Sequence, residues 1–247
     1  GAVANGVPEA VANSIYDEIL DFASYAFNKA HAVSYAIVAY RTAYMKRHYP
    51  QQYMAALLTS VLESSTKVAE YIAECRELGI KLLPPDVNES DANFTVAGEN
   101  IRFGLVAIKG IGWGAIEELV AERHENGLFT SFEDFCKRMS GKELNRRAVE
   151  NLIRAGAFDG MGYKRKALLQ IAGAVIDSIS QAARDNIAGQ YDLFGDFEAQ
   201  SEASPQTIPI PDVEEFSARD KMMMEKEVTG LYLTGHPMDE YRDAVRK

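Results

Sequence analysis

The sequence contains only two cysteines, Cys75 and Cys136, too few for a disulfide framework and without the spacing of a zinc site. It also lacks an apolar run near the roughly 18 residues that a membrane-spanning helix needs. No cleavable signal pattern stands at its start. These absences predict a cytoplasmic protein with reduced thiols and no membrane partner.

Positive charge is scarce overall and unevenly placed. The 247 residues carry a formal net charge of -10, but residues 100–172 contain 12 Lys or Arg against 9 Asp or Glu. A polyanionic partner would therefore meet the middle third and local patches rather than the average surface. Because the first residue is Gly and the opening residues read like the middle of a protein, we expect a fragment.

Helical periodicity dominates the pattern of apolar residues, which make up 47% of the chain. Residues 92–103 differ, because Phe94 and Val96, and then Ile101 and Phe103, alternate with polar neighbours around a turn. The expected fold class is mainly α with a small β-hairpin. Helices are predicted at 8–25, 28–49, 51–63, 66–78, 113–125, 131–138, 145–155, 163–183 and 218–230.

The stretch "VAIKGIGWGAIEELV", residues 106–120, is the most readily recognised short motif in the sequence. Its glycines allow a tight turn, and the amides that follow would point outward at a helix N-terminus, where a phosphate oxygen binds readily. The pattern resembles the helix-hairpin-helix motif, which holds the DNA backbone without reading bases. The alternative is a tight turn between two core helices. The candidate DNA-binding residues are Lys109, Gly110, Ile111, Gly112 and Trp113.

A second stretch, "LNRRAVENLIRAGAFDGMGYKRKALL" at 144–169, looks like a degenerate partner hairpin. Its turn contains Gly156, and Ala157-Phe158 replaces the second glycine. The alternative is a solvated basic face without a ligand. Besides Gly156, its candidate DNA-binding residues are Arg146, Arg147, Lys164 and Arg165, and Lys166 adds to the local positive charge.

The helix predicted at 28–49 combines cationic, small and aromatic residues. Asn28, Lys29 and His31 would project at its N-terminus, where the helix dipole favours an anion. Such a helix is suited to form one side of a nucleotide-binding site. The alternative is a core helix with a capping Asn, a snorkelling Lys and a structural His.

Several segments together resemble one family. "FNKAHAVSYAIVAYRTAYMKRHYP", "GIKLLPPDVNESDANFTV", "IRFGLVAIKGIG", "NRRAVENLIRAGAFD" and "EKEVTGLYLTGHPMDEY" are similar, in that order, to segments of the alpha subunits of bacterial DNA polymerase III, the C-family replicative polymerases. The resemblance covers essentially the whole chain. One departure is Ala30, where many members have Ser.

The resemblance implies a domain layout. Residues 1–80 are similar to the C-terminal part of the polymerase fingers. Residues 81–200 are similar to the clamp-binding region, with a tandem helix-hairpin-helix element at about 100–172. Residues 201–247 are similar to a linker and helix leading towards an OB-fold. The implied partners are double-stranded primer-template DNA, the incoming dNTP, the sliding clamp (beta subunit) and other replisome subunits.

The resemblance also implies site residues in the fingers. Asn28, Lys29 and His31 would face the incoming nucleotide, with Arg41 and Lys46 further along the same helix. The acidic palm residues that hold magnesium lie upstream in this family. We therefore expect no catalytic residue, metal site or cofactor in this chain, which alone would not polymerise DNA.

The peptide "GQYDLFGDF", residues 189–197, matches in spacing and position an internal clamp-binding peptide of this family. Leu193 and Phe194 would fill an apolar pocket and Gln190 would bond at its rim, with Asp192 between them. The alternative is that both apolar side chains fold back onto the preceding helix. For the whole chain, the alternatives are a non-catalytic helix-hairpin-helix adaptor that docks on the clamp, and a purely structural helical domain.

Overall fold

The structure is a computed structural model that describes residues 1–24, 29–62, 64–189 and 208–238. The chain divides into two compact units, Gly1–Pro50 and Gln51–Lys247. The structural boundary therefore falls at Pro50, whereas the sequence resemblance places the end of the fingers near residue 80. The functional layout of the chain remains a prediction.

The first unit consists of a 3-10 turn at Val3–Asn5 and two helices, α1 (Glu9–Ser24) and α2 (Lys29–His48). Both helices were predicted, α1 from the spacing of its apolar residues and α2 from a capping Asn28 and the proline at position 50. None of the described residues of this unit is buried. Tyr35 is 64% exposed and Tyr40 is 71% exposed, although they lie on different sides of α2. The interpretation of α2 as a core helix therefore finds no support within its own unit.

The second unit contains the remaining helices, and their bounds agree with the sequence prediction to within three residues, except that α8 ends at Gly189 rather than at the predicted residue 183. Ser131, Asn145 and Ser217 set three of the starts, because each side-chain oxygen accepts a backbone N–H of the first turn. The helices are α3 (Pro50–Ser60), α4 (Ser65–Glu77), α5 (Trp113–Asn126), α6 (Phe132–Arg138), α7 (Arg146–Ala155), α8 (Arg165–Gly189) and α9 (Ala218–Thr229).

A small mixed sheet follows α4. The strands β2 (Thr95–Ala97) and β3 (Asn100–Arg102) form the predicted antiparallel hairpin, with Val96 opposite Ile101. A further strand, β1 (Leu82–Leu83), pairs in parallel with β3 and completes the order β1-β3-β2. Sequence reasoning missed β1, because two residues before a Pro-Pro pair are too short to alternate.

The second unit has an extensive apolar core. Met54 and Leu58 of α3 are fully buried, and Cys75 of α4 is 2% exposed. These side chains belong to the same cluster as the residues that surround the two glycine turns. The helices α3 and α4 therefore belong structurally with the hairpin region, which explains the boundary at Pro50.

Both cysteines are free and buried. Burial raises the pKa of the Cys75 thiol to about 11 and that of the Cys136 thiol to about 12, with smaller contributions from Glu74 and Glu133. Thiols with such pKa values stay protonated and unreactive at neutral pH.

A buried ionic cluster ties α9 to the start of α8. The guanidinium of Arg165, 1% exposed, lies 2.7 Å from Asp159 Oδ2 and 3.0 Å from Glu225 Oε1. Glu225 is fully buried and also accepts the backbone N–H groups of Leu233 and Thr234. Desolvation lowers the pKa of Arg165, but the two carboxylates raise it further, so this cation stays charged.

We expect Arg165→Met to lower the free energy of unfolding by about 3 kcal/mol, because it leaves a buried carboxylate without its cation. Urea denaturation of the chain measures this loss. The matched control is Arg146→Met, which removes a half-exposed ion pair with Glu150 and should cost about 0.5 kcal/mol or less. Equal losses for the two variants would contradict a structural role for Arg165.

Candidate nucleic-acid interface

The first glycine turn, residues 109–112, is exposed and leads directly into α5. Ile108 before it is buried and anchors the turn to the core. Gly110 has φ +76, a left-handed conformation that favours glycine, and a Cβ there would lie 3.0 Å from Asn151 Nδ2. Gly112 has an ordinary φ of -72, and a Cβ there would meet no atom within 4 Å. The two glycines therefore differ: the left-handed backbone at residue 110 favours glycine, whereas the absence of a side chain at Gly112 leaves open space before α5.

Two elements hold this turn in place. The buried side chain of Asn151 on α7 donates a 2.8 Å hydrogen bond to the carbonyl of Lys109. The backbone N–H of Lys109 donates to Val228 O at 2.8 Å, and its ammonium donates to Glu227 O at 3.2 Å, both at the C-terminal end of α9. Sequence reasoning missed these supports. The available signal was Asn151, a polar residue on the apolar face of α7.

The N-terminus of α5 is chemically suited to an anion. Its capping residue is Gly112, so no side chain caps its first amide groups. The helix dipole adds partial positive charge at the same place. One acidic group stands nearby, since a Cβ on Gly114 would collide with the carboxylate of the exposed residue Glu143.

A groove lies beside this helix end, lined by both apolar and polar side chains. Trp113, 47% exposed, forms one part of its wall. Hydroxyl-bearing side chains and Lys67 also line it, so the groove offers an aromatic surface, hydrogen-bonding groups and a cation. Its volume is about 640 Å³, and its polar lining residues are Thr59, Ser60, Ser64, Lys67 and Asn93.

The second glycine turn is internal. Gly156 has φ +85 and is buried, and a Cβ there would collide with the guanidinium of Arg165. Ala157 and Phe158 are also buried, and Ala157 O accepts the backbone N–H of Val87. The predictions that Gly156 and the side chain of Arg165 contact DNA are therefore corrected, because both are enclosed by the protein's own side chains.

Other cations of the second hairpin remain at the surface. Arg146 and Arg147 are exposed on the first turn of α7, and Arg146 pairs with Glu150 at 3.0 Å. Lys164 is half-exposed but lies 2.8 Å from Asp212 Oδ1. Lys166 stands over the ring of Phe216, 5.8 Å from its centroid.

The N-terminus of α8 already holds a carboxylate. Glu215 accepts the backbone N–H of Arg165 at 2.8 Å and that of Lys166 at 3.1 Å. Burial raises the pKa of Glu215, but hydrogen bonds from the amides of Phe216, Arg165 and Lys166 lower it, and the net pKa lies below the ordinary value. Glu215 is therefore ionised at neutral pH. The N-terminus of α8 is thus capped by a carboxylate, whereas that of α5 has no side-chain cap.

The predicted nucleotide-binding residues belong to the first unit. Lys29 begins α2, and the exposed ring of His31 lies 4.3 Å from the ring of Tyr35, one helical turn on. Arg41 is exposed and Lys46 is half-buried on the same helix. Asn28 lies outside the described residues, as do the predicted clamp-binding residues Gln190, Asp192, Leu193 and Phe194.

Within the described part of the chain, no group of three or more His, Cys, Asp or Glu side chains is placed to hold a metal ion. None of its helices is both long enough and apolar enough to cross a membrane.

Comparison with known proteins shows what the chain is similar to. Residues 79–168 match the helix-hairpin-helix motif. The chain is 43% identical over 97% of its length to the DNA polymerase III subunit alpha of Mycobacterium tuberculosis (strain CDC 1551 / Oshkosh), of which it covers 20%. It is 40% identical over 98% of its length to that of Deinococcus radiodurans, covering 18%, and 39% identical over its full length to that of Pseudomonas aeruginosa, covering 22%. The chain thus spans about a fifth of the length of these curated relatives.

Because Gly110 and Gly112 differ in backbone conformation and in the space around them, their replacement by alanine should affect stability differently. We expect Gly110→Ala to lower the free energy of unfolding by about 1–2 kcal/mol, because a left-handed backbone is costly for an L-residue. Gly112→Ala should stay within about 0.5 kcal/mol of the wild type, since its methyl group meets open space. Urea denaturation of both variants checks this, and a larger loss for Gly112→Ala would contradict the geometry.

Proposed function

We propose that this chain, which is homologous to a region of DNA polymerase III alpha subunits, holds duplex DNA by its sugar-phosphate backbone through the first hairpin. The observation that carries the proposal is the exposed turn Lys109–Gly112 leading into the N-terminus of α5, which no side chain caps. Contacts of this type fix a duplex in place without reading its bases.

Three features of the first hairpin support this proposal. Its backbone is held by Asn151 and by the end of α9, so little conformational entropy is lost when a phosphate binds. The open space at Gly112 admits a phosphate close to the amides. Arg147, exposed at the start of α7, would add charge to the same phosphate track.

Duplex binding should be salt-dependent and independent of sequence. Two unrelated duplexes should bind the chain with equal affinity, and the affinity should fall as salt rises, with a log–log slope of about 0.9 for each phosphate neutralised. Fluorescence anisotropy at two or more salt concentrations measures both properties. A strong preference for one duplex would contradict backbone recognition.

Variants of the first hairpin test the site itself. Gly112→Ala should weaken duplex binding about tenfold, because its methyl group takes the space of a phosphate oxygen while the fold is kept. Arg147→Glu should weaken binding by about three- to tenfold at low salt. The matched control is Arg184→Glu, the same charge change at an exposed position of α8 nineteen residues after its first residue, Arg165. Equal losses for Arg147→Glu and Arg184→Glu would indicate a diffuse electrostatic effect instead.

We extend the proposal to the whole protein of which this chain would be a region. That protein would polymerise DNA with two magnesium ions held by palm carboxylates outside this chain, and this chain alone would be inactive.

The start of α2, with Asn28, Lys29 and His31, would face the incoming dNTP, and Arg41 and Lys46 would lie further along. In the complete polymerase, a smaller residue at position 31 should relax selection between ribo- and deoxynucleotides, and unaltered selection would remove that role.

The clamp peptide completes the proposal. Gln190, Asp192, Leu193 and Phe194 would dock on the sliding clamp, which would bring the chain into contact with other replisome subunits. Replacing Leu193 and Phe194 by Ala should abolish clamp binding with an unchanged circular dichroism spectrum, and retained binding would remove the peptide's role. A non-catalytic adaptor would show the same two binding activities, so primer extension by the complete protein separates the two functions.

A further inference from the structure

We propose that the acidic strap, residues 208–217, is an autoinhibitory contact that closes the second hairpin to DNA phosphates. The inference rests on the proposed function, since it concerns which of the two hairpins is open to a duplex. The strap carries Asp212, Glu214 and Glu215 and passes over the start of α8.

The first contact is made by Glu215. Its Oε2 accepts the N–H of Arg165 at 2.8 Å, and its Oε1 accepts the N–H of Lys166 at 3.1 Å and that of Phe216 at 2.8 Å. Two oxygens of one anion thus bind two successive amides at a helix N-terminus. A DNA phosphate would use the same two donors, so the carboxylate and the phosphate compete for one position.

The second contact neutralises the neighbouring side chain. Lys164 Nζ lies 2.8 Å from Asp212 Oδ1, and the Asp212 side chain is 98% exposed. The ammonium of Lys164 holds the pKa of Asp212 below its ordinary value, so the pair is ionised at neutral pH. The strap therefore binds the ammonium of Lys164 as well as the backbone N–H groups of Arg165 and Lys166.

The strap is anchored at both ends, so these contacts are made at high local concentration. Ile208 packs against the apolar core. Ser217 caps α9 by accepting the N–H of Asp220, and α9 is joined to Arg165 through the buried Glu225. A short segment held at both ends loses little further entropy when it lies over α8.

The first hairpin has no equivalent cover among the described residues. The capping position of α5 is Gly112, without a side-chain hydrogen bond. The nearby Glu143 is exposed, and its own backbone N–H donates to Glu118 Oε2 at 3.0 Å. The two hairpins therefore differ in what occupies them: in the part of the chain that the structure describes, the carboxylate near the first accepts no amide of α5, whereas the amides of the second are bonded from within the chain.

The test removes the two contacting carboxylates together. Asp212→Asn/Glu215→Gln, in the full 247-residue chain, should raise the affinity for duplex DNA about three- to tenfold at low salt. It should also steepen the log–log salt slope by about 0.9, the value for one further phosphate. The control is Glu214→Gln/Asp177→Asn, which removes two exposed carboxylates, one of the strap and one of α8. It should change affinity less than twofold.

A second readout does not depend on DNA. Hydrogen exchange should become faster at the amides of Arg165 and Lys166 in Glu215→Gln alone, with the circular dichroism spectrum unchanged. Unchanged exchange at both amides would overturn the proposal, because Glu215 would then not occupy the helix end. An affinity gain no larger than that of the control would also overturn it.

The two proposals fail in different ways. If no variant binds a duplex at low salt, the proposed function is lost and the autoinhibitory contact is lost with it. If the wild type binds and Gly112→Ala weakens that binding, but the strap variant matches its control, the first hairpin stands and the autoinhibitory role of the strap alone is removed.

Discussion

The ion pair between Arg165 and Glu225 is the constraint on which the second unit depends. A guanidinium and a carboxylate that are both almost fully buried must remain together, because either one alone would cost several kcal/mol in a low-dielectric interior. Arg165 begins α8, whereas Glu225 lies in the middle of α9. The pair therefore fixes α9 against the start of α8, and Asp159 adds the turn between α7 and α8 to the same cluster. Once α9 is fixed, its C-terminal carbonyls are in place to receive Lys109.

This arrangement is compatible with the proposed binding of a polyanion by a chain with a net charge of -10. The first hairpin relies mainly on backbone amides and a helix dipole, which need no net positive charge. Many cations of the middle third serve the fold instead. Arg123 is buried against the carbonyls of Val87 and Ser90, and Arg138 and Lys142 both bind Glu122. These partners, with Asn126, lower the pKa of Glu122 to about 2. The positive balance of residues 100–172 therefore overstates the charge that a ligand would meet.

Local patterns in the sequence predict most of the elements but not how they are used. The helices and the hairpin of β2 and β3 follow from periodicity and turn residues, which act over a few positions. The glycine turn at 109–112 was also predictable, although the different demands on Gly110 and Gly112 depend on Asn151, some forty residues later. The role of Arg165 does not follow from local sequence patterns. In "YKRK" it looks like its neighbours, and only its distance from Glu225, sixty residues on, separates a buried structural cation from a surface one.

The two helix ends that follow the glycine turns show why one motif can have two outcomes. Each places amides and a dipole at the surface, and each lies near a carboxylate, Glu143 in one case and Glu215 in the other. Glu215 accepts three backbone N–H groups and is held in a strap with fixed ends, so its removal would leave these donors without a partner. Glu143 makes no such set of bonds among the described residues, and an exposed side chain can change rotamer at small cost. In the proposed complex, a phosphate would displace little at α5 but would have to break a charge-assisted cap at α8. The difference in access follows from what each carboxylate binds, since the two turns themselves share the left-handed glycine.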